Sequence, residues 1–531
     1  MKKNLLVIAS VVFLLADISK ARDLRYGELS FPQTLNPLNT DKMDESAGRL
    51  CQLMFNSLLG MADKEPVEEL LANMNAKREQ KSYTFKLREK IKWHDGTLFT
   101  ADDVVFTFNI LADNSIKSNL KWIMQEVVDS VKKVDSYTVK FTAKGEISRV
   151  ELLNTIGFVK IIPKHFFDNI NKRDWNDRWK WITCGTGPYK LPDEFLQSPD
   201  KIQSIADTVK EITLEQNKDY FRGWRKLKPN EERIDNIIMR VILNSATAME
   251  NLRSKEIDLL PMIASNLPSE KPSEKDISWT IIKCNRNSFY YFAFDCRRVN
   301  TTTRQAFSLA TNRKYMLNNN FLNGYKGNTP EEKLTDAMND CMYGPYPQHL
   351  NVGVSKSQFY NIDRVKLWAK EVQLPSNVTL KGHILEGCEK NMCTCLKVDL
   401  KEIGVTLKIK SELTTRDVEN FDIAFGWWTF SSLSDPVKWL FGTNAPYNIC
   451  HYSNKEVDKI IKENEISDAD TSSGANTRLR NMEKMQKTIG DDCPYIFLFK
   501  RPLWIGFNKK LYIKPDEYWF FADIIDWYWK K

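Results

Sequence analysis

The stretch from Tyr83 to Phe106 reads YTFKLREKIKWHDGTLFTADDVVF. Tyr83, Phe85 and Leu87 alternate with Thr84, Lys86 and Arg88, the period of two that turns one face of a strand toward a core and the other toward water. His94, Asp95 and Gly96 then interrupt the pattern as a turn, with glycine supplying backbone freedom. Thr100 stands before Ala101, Asp102 and Asp103: a hydroxyl at the N-cap, then carboxylates where the helix dipole favours negative charge. The apolar-periodic run to Leu111 completes a predicted helix. Strand, glycine turn and capped helix in immediate succession point to a mixed α/β protein.

The same mixture extends in both directions. Leu24–Leu29 reads as a strand, Ser30–Pro37 as a turn region and Ser46–Leu59 as a helix, and Val134–Phe141 alternates as one strand. Cys184–Tyr189, with two Gly and a Pro, is a sharp connection, and strand patterns follow through Val241 and Ile242. Phe289–Phe294 is a strongly aromatic strand, followed by a helix over Thr303–Asn318. Val378–Ile384, Met392–Ile403 closed by Gly404, and Val405–Ile409 form a β-α-β unit. Phe421–Trp428 has the composition of a buried strand, Lys455–Glu465 and Thr477–Ile489 of helices, and Ile496–Phe499 and Trp504–Phe507 of strands.

With 531 residues, 42% apolar and 27% charged, the chain is long enough for two or three lobes and is neither disordered, collagen-like nor polytopic in a membrane. Its 77 basic and 69 acidic residues are interleaved, and a net +8 over this length does not imply nucleic acid. Fifteen Trp, 18 Tyr and 28 Phe exceed packing needs and suggest an aromatic recognition surface. Lys2 and Lys3 precede the apolar run Leu5–Ala16, and Ser19-Lys20-Ala21 offers small residues for cleavage, so residues 1–21 read as a signal peptide. The run is roughly a dozen residues where a span needs about twenty. No Cys lies near the cut, which leaves a soluble, periplasmic protein without a lipid anchor. In that oxidising compartment the ten Cys are candidates for disulfides of undetermined pairing. Cys388, Cys393 and Cys395, near His383, lack the paired Cys-x-x-Cys spacing of zinc sites.

No Gly-x-Ser-x-Gly elbow, His-Glu-x-x-His helix or Walker loop is present, and the five His stand singly. A secreted carbohydrate-active enzyme with two carboxylates would be the catalytic alternative, but no motif singles out such a pair.

Four segments together resemble the family 5 extracellular solute-binding proteins, the peptide- and nickel-type binding subunits of ATP-driven importers. They are Tyr83–Phe106; Gly185-Thr186-Gly187-Pro188-Tyr189; Arg304-Gln305-Ala306-Phe307-Ser308-Leu309-Ala310-Thr311-Asn312-Arg313; and Tyr452-Ser453-Asn454-Lys455-Glu456-Val457-Asp458, the last similar to a Tyr-Ser-Asn-Pro-Glu-x-Asp pattern. Their order and spacing agree over nearly the whole mature chain. The resemblance implies an α/β, periplasmic-binding-protein-like type II fold of three lobes, with the ligand cleft between the two main ones. Lobe I would comprise residues 22–48, 183–282 and 496–531, inserted lobe II residues 49–182, and lobe III residues 283–495. Hinge closure would enclose the solute.

In peptide-binding members an extended ligand lies beside a strand ending in Trp, and an Asp three residues later pairs with the free amino terminus. Here the strand ends Gly426-Trp427-Trp428-Thr429, the third residue after Trp428 is Ser431, and counting from Trp427 reaches Phe430. Asp435, followed by Pro436, lies one position further along than the family's Asp-Pro. Either Asp435 moves in, another acid serves, or the ligand has no free amino terminus there, because a buried ammonium without a carboxylate is costly. Adjacent strand residues face opposite ways, and the family register puts Trp428 in the cleft. Tyr290 and Tyr291 are either cleft or core aromatics, and Asp41 and Met43 occupy positions that face the cleft in relatives. The implied protein captures a peptide or peptide-like solute and delivers it to the permease subunits of an ABC importer. It would act as a monomer without catalytic turnover, cofactor or metal. An oligosaccharide, a metal chelate or a modified peptide is the alternative cargo.

Overall fold

Leu24 and Tyr26, both fully buried, mark the middle strand of the largest sheet. The computed structural model describes residues 22–39, 45–62, 65–116, 118–168, 179–196, 211–263, 278–284, 288–320, 329–346, 359–382, 388–411, 420–429, 436–467, 472–500, 503–515 and 520–531. Strand Arg22–Glu28 runs parallel to Ile234–Val241, pairing Leu24 with Ile237 and Tyr26 with Met239. Seven strands join in the order Trp279–Cys284, Leu503–Asn508, Leu259–Ile263, Arg22–Glu28, Ile234–Val241, Glu211–Gln216, Tyr189–Lys190. They come from three distant parts of the chain. Helix Glu45–Met54 is fixed to the central strand by Arg49, whose guanidinium grips Glu28 with bonds of 2.5 and 2.7 Å, both side chains being buried. A two-pronged, fully paired ion contact of this kind is the arrangement in which burying charge is tolerated.

A four-stranded antiparallel sheet orders Lys77–Glu79, Ser82–Lys86, Thr138–Ala143 and Val128–Asp135. Helix Ala101–Ala112 lies against it, Phe108 meeting Phe141 edge-on at 5.0 Å. The expected cap is present: Thr100 Oγ1 accepts from Asp102 N–H, and Asp103 reaches back to the Thr100 N–H. Asp103 also accepts from Lys164 N–H, so the cap doubles as a tertiary tie. The expected single strand over Val134–Phe141 is instead a hairpin, because Asp135 Oδ1 accepts from Tyr137 N–H and turns the chain. The helix expected over Ser46–Leu59 stops at Met54, where the Ser57 N–H is taken by the Glu69 carboxylate and Leu59–Ala62 enters a strand.

The third sheet orders Thr406–Ser411, Asn377–Gly382, Ile423–Thr429, Ser288–Phe294 and Tyr495–Lys500. The β-α-β unit is there, with Asn377–Gly382 parallel to Thr406–Ser411, helix Cys388–Lys401 between, and Gly404 at φ +80°. All seven residues of Ser288–Phe294 are buried, as a strand covered on both faces requires. Because Tyr495–Lys500 pairs here, the chain re-enters the seven-stranded sheet at Leu503 rather than near residue 496. The expected helix over Thr303–Asn318 is two helices, Thr301–Ala310 and Arg313–Asn320, because Asn312 caps the second through its bond from Tyr315 N–H. Among the described residues no helix is long and apolar enough to cross a membrane.

The family-like segments meet one another inside this frame. His94 Nδ1 accepts from Gly185 N–H at 3.1 Å, and Nε2 donates to the Gly187 carbonyl at 3.1 Å, which fixes a neutral imidazole protonated at Nε2. A Cβ on Gly185 would overlap the Met54 carbonyl, so the residue opposite the helix end has to be glycine. Arg304 likewise donates to the carbonyls of Asp492, Cys493 and Val299, tying its helix to the end of helix Ser472–Asp492. Asn454 caps helix Lys455–Ile466.

Burial lowers His94 to about 4 from an ordinary 6.5. Above pH ~6.5 the neutral clamp is intact in full; as pH falls the unfolded chain takes up the proton first, and stability is lost between pH ~6.5 and ~4, by about 3 kcal/mol in all. Chemical unfolding of the wild type and of His94→Gln across this range should differ by that component. Identical pH profiles would contradict the clamp.

Candidate ligand-binding site

Strand Ile423–Thr429 lies between Ser288–Phe294, antiparallel, and Asn377–Gly382, parallel. Its register sets Phe289 opposite Trp428, Tyr290 opposite Trp427, Tyr291 opposite Gly426 and Ser288 opposite Thr429. Alternation sorts these side chains onto two faces. Tyr290 packs with Phe425 and Phe499, each at 6.0 Å, in the same cluster as Trp427. Tyr291 is stacked on Tyr495 at 4.4 Å in the cluster that Trp428 joins from its edge. Both tyrosines are core residues, 2% and 4% exposed, and burial pushes the Tyr291 hydroxyl well above the ordinary range. That hydroxyl occupies the space a Cβ at Gly426 would need, coming within 2.8 Å of it, so the glycine preceding the two tryptophans makes room for Tyr291.

Trp428 is half-buried at the end of the strand, with Tyr447 edge-on at 4.8 Å. Its Nε1 is screened from water and has no hydrogen-bond partner among the described residues. Tyr291 is therefore the hinge-strand tyrosine on the Trp428 side, and Tyr290 faces away. Thr429 ends the strand; Asp41, Met43, Ser431 and Asp435 lie outside the described residues.

Two features escaped the sequence reading. Tyr447 is one. The other is the seat of helix Pro436–Phe441, which begins directly after segment 430–435 and reaches across to the inserted part of the chain. Trp439 meets Trp122 at 4.1 Å, and Lys438 Nζ lies 3.3 Å from Glu151 and 2.8 Å from Glu465. Ser148 N–H donates to the Glu465 carbonyl beside them. Burial alone would lower the Lys438 ammonium, but the carboxylates of Glu151 and Glu465 more than offset this and hold it above its ordinary value. Only the tryptophan surplus hinted at this contact.

Other clusters sit apart from this strand. A recess is lined by Gln52, Asn56, Glu69, Lys160, Tyr220 and Phe521 among others, and by none of the expected ligand residues. Burial lowers Lys160 there, with Glu69 opposing. Asp95, His165 and Cys184 place donor atoms within 4.8 Å of one another and could hold a cation. In the structure Asp95 instead accepts from His165 at 2.8 Å and from Thr97 N–H at 3.0 Å. Burial would raise Asp95, yet these bonds hold it down at about 2, so the trio works as a braced turn.

An aromatic strand pair in one sheet unit, a second sheet gathered from both ends of the chain and an inserted third unit define an α/β binding protein of the type II periplasmic class. The family model for bacterial extracellular solute-binding proteins, family 5 Middle, matches residues 65–448, and the chain belongs to that family. Its members are periplasmic or extracellular solute-binding components of transporters, not enzymes. The chain is 23% identical over 513 residues to the oligopeptide-binding protein AppA of Bacillus subtilis, covering 90% of this chain and 86% of that one. It is 24% identical over 506 residues to the Probable D,D-dipeptide-binding periplasmic protein DdpA of Escherichia coli, covering 91% and 90%. The solved structure of Bacillus subtilis AppA in complex with a nonapeptide superposes with a TM-score of 0.74 at 21% identity, over 96% of this chain and 99% of that one. NikZ of Campylobacter jejuni in complex with Ni(L-His) gives 0.72 at 17% identity, over 96% and 99%.

Replacing Lys438 by Met keeps the stem but leaves Glu151 and Glu465 facing each other without their cation. The variant should unfold about 2 kcal/mol more easily in denaturant titration, and Glu151→Gln on top should recover part of the loss. An unchanged midpoint would make the contact an ordinary surface pair.

Proposed function

We propose that this protein is the periplasmic substrate-binding subunit of an ATP-driven importer and that its solute is a peptide or peptide-like molecule. Residues 22–48, 183–282 and 503–531 form one lobe, 283–500 the facing lobe and 49–182 the insert. The solute is enclosed as the first two close, and the loaded monomer then docks on the permease subunits, with no chemical turnover.

The observation that carries the reading is the end of strand Ile423–Thr429. Trp428 offers an aromatic surface at the strand end, braced edge-on by Tyr447. A peptide running out from Thr429 can extend the main-chain hydrogen bonding of this strand and lay a side chain on the indole, a mode that suits many sequences. Tyr291 supports the indole from the core, and Tyr290 supports the opposite face. Ser431 and Asp435, on the segment between Trp428 and helix Pro436–Phe441, meet the polar end of the solute, and Asp41 and Met43 close from the other lobe. The relatives named for oligopeptides and D,D-dipeptides favour this class. Ser431, standing where an ammonium-binding Asp is expected, favours a second reading, in which the cargo lacks a free amino terminus, as a blocked peptide or a metal chelate does.

Calorimetric titration with peptides of two to nine residues, free and acetylated at the amino terminus, tests both. Trp428→Ala should weaken binding at least tenfold, about 1.4 kcal/mol or more, with Trp428→Phe between it and the wild type. Unchanged affinity in Trp428→Ala would remove Trp428 from the site. Binding of acetylated but not free peptides would select the second reading.

A further inference from the structure

We propose that Cys296 and Cys450 are a covalent modification site, joined by a disulfide in the exported protein. The inference rests on the family's periplasmic or extracellular location and not on which solute is bound. Cys296 follows strand Ser288–Phe294, and Cys450 lies in the connection leading to helix Lys455–Ile466. The Cys296 N–H donates to the Cys450 carbonyl at 2.9 Å. The two thiols also interact directly, side chain to side chain, so the sulfurs face one another as a disulfide, with its Cα span of roughly 4.4–6.8 Å, requires. Both side chains belong to one apolar cluster with Phe289, Tyr291 and Tyr495, so they are directed to the same side. Both are free thiols in the structure. No other two described cysteines are joined by a backbone hydrogen bond of this kind.

The two sulfurs are chemically unequal in the way that sequential thiol–disulfide exchange requires. Cys296 is half-buried, and Cys450 is fully enclosed. Interaction with the Cys450 thiol, helped by the Arg304 charge, draws the Cys296 thiol below its ordinary range despite partial burial. Burial drives the Cys450 thiol well above its own. Cys296, as thiolate, attacks a small-molecule or protein disulfide, forming a mixed disulfide and expelling one thiolate. The Cys450 thiol then loses its proton and attacks Sγ of Cys296. The S–S bond between the two cysteines forms, the mixed disulfide breaks, and the second thiol departs with the proton. Two protein thiols are oxidised and one disulfide oxidant is reduced to two thiols. The bond from Cys450 Sγ to Asn448 Oδ1, 3.2 Å, is given up, while Asn448 Oδ1 keeps the Tyr452 N–H at 3.0 Å. The link stays within one apolar cluster and leaves movement between the sheet units free.

The test equilibrates the purified full chain in reduced and oxidised glutathione, labels free thiols with a maleimide, and maps the digest by mass spectrometry. Expected is a linked peptide pair containing Cys296 and Cys450, two hydrogens lighter than the separate peptides, with labelling of Cys296 falling at least tenfold under oxidation. The Cys296→Ser, Cys450→Ser double variant should match the reduced wild type in unfolding midpoint and fall below the oxidised wild type. Full labelling of Cys296 in oxidised glutathione, or its linkage to another cysteine, overturns the proposal.

Discussion

The neutral imidazole of His94, bonded to Gly185 N–H on one side and the Gly187 carbonyl on the other, is the contact on which the rest of the structure turns. It joins the glycine turn after one strand of the inserted unit to the point where the chain comes back to the seven-stranded sheet at Tyr189. Both glycines lie so close to the end of helix Glu45–Met54 that a side chain at either would collide with its backbone. That helix is itself held to the central strand through Arg49 and Glu28. A sheet assembled from residues near both ends of the chain needs such a node, because its strands have no short connections to set their register.

Beyond that node a second constraint acts, the aromatic filling of strand Ser288–Phe294. With neighbours on both edges and both faces covered, this strand cannot shift without moving every ring stacked on it. It thereby fixes Ile423–Thr429 and delivers Trp428 to the strand end. From there the chain crosses segment 430–435 and is fixed again by helix Pro436–Phe441, through Trp439 on Trp122 and Lys438 between Glu151 and Glu465. Segment 430–435 is thus flanked on one side by the strand that ends in Trp428 and Thr429 and on the other by a helix tied to the inserted unit.

Scaffold features written in local chemistry were legible in the sequence. Thr100 with Asp103 at a helix start, the alternation from Tyr83 to Leu87 and the glycine closing helix Cys388–Lys401 all stand where reading placed them. Three of the failures share a cause, a polar side chain capturing a backbone N–H. Asp135 folds Val134–Phe141 into a hairpin, Asn312 divides a helix, and Glu69 takes the N–H of Ser57 that a continuing helix would use. For the site, residue pattern and family register together singled out Trp428, but Tyr447, Trp439 and Lys438 gain their roles only from contacts across the fold. Nothing local distinguishes a cleft tyrosine from a core one, and the burial of Tyr290 and Tyr291 is a tertiary fact.

The central claim, that the cleft beside Trp428 carries a peptide or peptide-like solute, is tested most directly by native mass spectrometry of the protein purified from its own compartment. Denaturation would then release whatever small molecule it holds, for sequencing. The account predicts a bound mass that resolves into short peptides or close derivatives, lost in Trp428→Ala. Release of a single carbohydrate from wild type and variant alike would contradict it.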